Sequence, residues 1–76
     1  MSDWHHFREP RSGVHGRLRR LPQPPMDGYT IYGVELAAAA EGPWIYNFDT
    51  AAKSAAEAID KAKMRVRDRF RYARQR

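Results

Sequence analysis

From residue 52 to residue 73, apolar side chains return every three or four positions: Ala52, Ala55, Ile59, Ala62, Val66, Phe70 and Ala73. That interval keeps them on one stripe of a 3.6-residue helix, so the pattern predicts a single helix from Ala51 to about Arg74. The stretch contains no Gly or Pro and is rich in Ala, Lys, Arg and Glu, the better helix formers. Thr50 is the expected N-cap, with Asp49 placed against the positive end of the helix dipole. Lys53 stands where a reciprocal capping box would need Glu or Gln, so this start rests on one cap.

Ahead of the helix the period shortens to two. Tyr29 to Leu36, rich in Tyr, Ile, Val and Thr, reads as a strand in which Gly33 marks a bulge. Trp44 to Phe48 reads as a second strand, with Trp44, Tyr46 and Phe48 on one face. Ala37 to Ala40, closed by Glu41, Gly42 and Pro43, is the loop of an antiparallel hairpin. The aromatic face is the expected lid over Ala52, Ala55 and Ile59, while Tyr29, Ile31 and Ile45 occupy the sheet's other face. The predicted fold class is α+β: a β-hairpin packed on one long C-terminal helix (ββα).

Residues 1–25 show neither period and carry Pro10, Gly13, Gly16, Pro22, Pro24 and Pro25 among Arg and His. They read as an extended basic arm attached to a hairpin-helix domain over residues 26–76, to be ordered by a partner or by folding back. Trp4, Phe7, Val14, Leu18 and Leu21 alternate with the arm's arginines, and both routes bury Trp4.

Charge changes the picture more than composition does. The 76-residue chain has a formal charge of +5. From Lys61 to the end there are eight cations against one anion, Asp68; residues 26–60 carry Lys53 against six carboxylates. Like-charged pairs four apart, such as Arg67 with Arg71, give the local fold nothing. Arg outnumbers Lys there, and its planar fork grips phosphate or carboxylate in two places at once. Arg65, Arg67, Arg69, Arg71 and Arg74 are therefore the candidate anion-binding residues, assisted by Arg17, Arg19 and Arg20 of the arm. A basic helix end also suits the negative end of the dipole as a solvated face.

Catalytic chemistry finds little to stand on. There is no Cys, which removes disulfides, thiolate metal sites and Cys nucleophiles together. Ser2, Ser12 and Ser54 have no nucleophile context, and no phosphate loop or metal-protease helix is present. His5, His6 and His15 lack a second ligand pair at metal-site spacing, so neither metal nor cofactor is expected. No apolar run reaches the roughly 18 residues a membrane span needs, and the polar N-terminus does not read as a secretory signal; a cytoplasmic setting is the expectation.

The order strand, loop, aromatic strand, Asp-Thr cap and Ala-rich helix, here WIYNFDTAAKSAAEAIDKA, resembles a supersecondary unit of small phage and bacterial proteins. Such likeness carries no function. The residues themselves point to a small non-catalytic binding module for nucleic acid or a nucleoprotein. The competing expectation is a phage-type inhibitor, of the anti-CRISPR or polymerase-blocking kind, docked on an acidic protein surface. A hairpin on one helix also leaves a sheet face open, which a homodimer would cover. A third expectation is self-association through the Ala-rich stripe.

Overall fold

The structure, a computed structural model, describes residues 3–74 and the side chains of residues 3–69. Four strands, β1 (His5–Arg8), β2 (His15–Arg20), β3 (Thr30–Ala37) and β4 (Ile45–Ala52), precede one helix, α1 (Ala55–Arg74). All neighbouring strands are antiparallel and lie in the order β1-β2-β3-β4. The fold is α+β, with α1 covering one face of the sheet.

The β3–β4 hairpin forms where the alternation predicts it, but the sheet does not stop there. Residues 5–20, expected as part of an extended arm, supply β1 and β2, and β2 pairs with β3 along its whole length. Short-range turn chemistry explains this. Asp27 and Gly28 both have positive φ, between Met26 and Tyr29, which exchange two backbone hydrogen bonds of 2.9 Å. Asp-Gly with both residues at positive φ is the preferred two-residue hairpin turn, and it sends the chain back beside β2. The prolines before it fall in the connection and not in a strand.

The helix starts later than expected. Thr50 lies within β4, opposite Tyr32, and Asp49 is opposite Gly33. The cap is Ser54, whose Oγ accepts from the Glu57 amide at 3.2 Å, while Glu57 Oε2 accepts from the Lys53 amide at 3.2 Å. Ser-x-x-Glu has the spacing of a capping box, four residues beyond Thr50, with Glu57 reaching one residue further back, to the Lys53 amide instead of that of Ser54. The Lys53 amide lowers the Glu57 carboxyl below its ordinary value, partial burial opposes this, and Lys61 and Lys53 add to the lowering.

Ala58, Ala62 and Val66 are buried against Phe7, Leu18, Tyr32, Val34, Leu36, Phe48 and Ala52. Of the predicted stripe, Ala62 and Val66 face the sheet, Ala55 and Ile59 are partly buried, Ala52 falls in β4, and the side chains of Phe70 and Ala73 lie outside the described residues; Ala58, off that stripe, is fully buried. Ala62, at the middle of the expected self-association surface, has no exposed surface.

Two positions differ from the strand pattern, each for a steric reason. Gly33 marks no bulge; it seats Leu21, whose Cδ2 would lie 3.0 Å from an added Cβ. The register shift falls one step later, between Val34 and Glu35, where Asn47 is the unpaired residue of β4. That extra residue turns the strand beyond it. Phe48 points to the helix, as expected, but Trp44 and Tyr46 point to the opposite face and Ile45 to the helix side. Phe48 alone of the three aromatics covers the Ala stripe.

Candidate functional site

The predicted basic residues fall on two sides of the sheet. On the helix side, Lys61, Arg65 and Arg69 are each four residues apart, about 6 Å along the helix axis. They form a row against β4, one of the two edge strands of the sheet. Lys61 Nζ donates to the Ala51 carbonyl at 2.8 Å, the Arg65 guanidinium lies 4.3 Å from the centre of the Phe48 ring, and Arg69 Nη1 donates to Asn47 Oδ1. All three side chains are exposed. Lys61 also pairs with Glu57 at 3.3 Å, but among the described residues no carboxylate pairs with Arg65 or Arg69.

Arg67 faces elsewhere. It lies on the opposite flank of α1, its Nε 4.0 Å from Oε2 of Glu9, the one buried carboxylate among the described residues. Glu9 Oε1 accepts from the Ser12 amide at 2.8 Å and so ties the β1–β2 turn. Burial would raise the Glu9 carboxyl, but the amides of Ser12 and Arg11, the Ser12 hydroxyl and the Arg67 charge together bring it below the ordinary value. Arg67 has a structural partner and stands apart from the row. The side chains of Arg71 and Arg74 lie outside the described residues.

Across the sheet, β2 presents Arg17 and Arg19 to the face that α1 leaves uncovered. The Arg17 guanidinium sits 4.0 Å from the ring centre of Trp4 and 4.6 Å from that of Trp44, and Arg19 lies 4.7 Å from Trp4. Both Nε and Nη2 of Arg17 reach Glu35 Oε1, at 2.8 and 2.6 Å. His6 meets Trp44 edge-on, with centroids 5.7 Å apart. Tyr46, 57% exposed, donates its hydroxyl to Asp49 on the same face. That hydrogen bond, with some burial and the Asp49 charge, holds the phenol above its ordinary value. Tyr46 and Asp49 are three apart, and only the extra residue at Asn47 brings them to one face. Arg20 is exposed at the end of β2, on the helix side opposite Tyr32.

The eight predicted arginines do not make one surface. Arg65 and Arg69 join Lys61 in a row, Arg17 and Arg19 join an aromatic cluster, and Arg20 and Arg67 belong to neither. Strict alternation carried through Asn47 hides the place of Trp44 and Tyr46 on the open face, where Trp44 is half-buried and Tyr46 exposed. Among the described residues, no group of three or more His, Asp or Glu is placed to hold a metal ion, and no helix is long and apolar enough to cross a membrane. No family model, curated protein or solved structure matches the chain.

Proposed function

We propose that this chain is a non-catalytic binding module for nucleic acid, held mainly through phosphate contacts by its C-terminal helix. The observation that carries the reading is the row of Lys61, Arg65 and Arg69 along β4. Two of its three cations have no carboxylate partner among the described residues; Arg65 lies over the Phe48 ring, Arg69 donates to Asn47, and both side chains are exposed. Such a row offers regularly spaced donors to a polyanion, and Arg can meet each phosphate with two parallel bonds. The contacts are to backbone, so binding is sequence-tolerant and weakens steeply with salt, by about 0.9 log units per log unit of salt for each neutralised phosphate on duplex DNA. Arg71 and Arg74 continue the basic sequence beyond the row.

The test is binding of labelled single- and double-stranded oligonucleotides at low and moderate salt by wild type and by Arg65→Glu/Arg69→Glu. Salt-sensitive binding that the variant loses supports the reading. Absence of binding at low salt overturns it and leaves an acidic protein surface, as a phage-type inhibitor would use, as the remaining partner class.

A further inference from the structure

We infer that the preferred ligand is a single strand, whose phosphates follow the Lys61–Arg65–Arg69 row while its bases turn over β4 onto Trp44 and Tyr46. The inference rests on the phosphate reading above and adds the class of nucleic acid. Its basis is that β4 carries both chemistries within one strand's width. On the helix side lie the cations that touch Ala51, Phe48 and Asn47; on the other lies the exposed ring of Tyr46, with the half-buried ring of Trp44, in contact with Arg17, immediately before the strand.

Three details favour unpaired bases over other occupants. Tyr46 is held by Asp49 yet leaves 57% of its surface exposed, so a flat ring is fixed in place without being covered. Asp49 on that same face repels phosphate, which keeps the charged backbone at the edge and the bases inward. A peptide strand adding to β4 would need that edge's carbonyls, and Lys61 already occupies the one at Ala51. A duplex hides its ring faces in the stack and can meet only the cation row, whereas a single strand meets both surfaces.

The experiment titrates full-length protein into labelled oligo(dT), oligo(U) and a short duplex at low salt. It compares wild type, Tyr46→Ala, Trp44→Leu and Arg65→Glu/Arg69→Glu, with circular dichroism confirming that each is folded. Both single strands, or one of them if the sugar is discriminated, should bind wild type more tightly than the duplex. Tyr46→Ala and Trp44→Leu should each weaken single-strand binding roughly fivefold or more, the scale of one lost stacking contact, and leave duplex binding unchanged. Tyr46→Ala removes an exposed ring and stays informative if Trp44→Leu fails to fold. Single-strand binding that ignores Tyr46→Ala but disappears in the Arg65→Glu/Arg69→Glu variant overturns this inference and leaves the phosphate reading intact. Loss of every ligand in wild type defeats both.

Discussion

Arg67 Nε stands 4.0 Å from Glu9 Oε2, and neither atom has a hydrogen-bond partner among the described residues. The relationship is one of charge across the point where the end of α1 meets the β1–β2 turn. The Glu9 carboxyl is held below its ordinary value in the folded chain, so its contribution to stability is complete above the unfolded value, near 4.5, and is lost as pH falls through the folded value. Glu9→Gln keeps an acceptor for the Ser12 amide but removes the charge. The variant should be about 1–3 kcal/mol less stable at neutral pH. The gap to wild type should close below pH 4.5, as urea unfolding at several pH values would record. A gap independent of pH would assign the cost to packing and not to charge.

The far end of the Phe7 ring occupies the space beside Gly16 on the neighbouring strand. A Cβ at residue 16 would come within 2.1 Å of the Phe7 ring, and Phe7 is buried. Gly16→Ala should cost about 1–3 kcal/mol through displacement of that ring. In Phe7→Leu the same substitution should cost measurably less, a coupling that a double-mutant cycle of thermal unfolding would show.

The helix start offers a clean comparison of two candidate caps. Ser54→Ala should destabilise the protein by about 1 kcal/mol, because it frees the Glu57 amide in the first turn. Thr50→Ala should leave helix content unchanged, since Thr50 is in β4. Far-UV circular dichroism during urea unfolding separates the two effects.

Arg17 between Trp4 and Trp44 tests the uncovered face directly. Arg17→Lys keeps the charge opposite Glu35 but loses the flat group between the rings, for a cost of about 0.5–1 kcal/mol. Tryptophan fluorescence should change with the substitution, and the response of the wild-type signal to salt should be small because the stack is not purely ionic.

The sequence carried the hairpin, the α+β class and the burial of Ala62 and Val66 in plain view, because each follows from a period sustained over several residues; Ala58, off the predicted stripe, is buried beside them. What it hid depended on single residues. Asn47 shifts the alternation by one and so transfers Trp44 and Tyr46 from the expected core to the open face. Asp27-Gly28 turns the chain back so that proline-rich flanking sequence no longer reads as an arm. Ser54 and Glu57 spell a capping box, but it sits inside a stretch whose composition already favours helix, so Thr50 drew the boundary too early. For the candidate site, the arginines were legible as a group. Their partners were not, since nothing local joins Arg67 to Glu9 or Arg17 to Trp44.

The cation row has a second consequence, for how copies of the chain behave together in concentrated solution. Among the described residues the outer edge of β4 has no neighbouring strand, and an unpaired edge is a template for accretion of further strands. Two molecules approaching edge to edge bring their rows of Lys61, Arg65 and Arg69 into mutual repulsion before backbone pairing begins. Neutralising the row therefore removes a guard against aggregation as well as the proposed grip on phosphate. Colloidal stability and the proposed binding make their demands on the same three side chains.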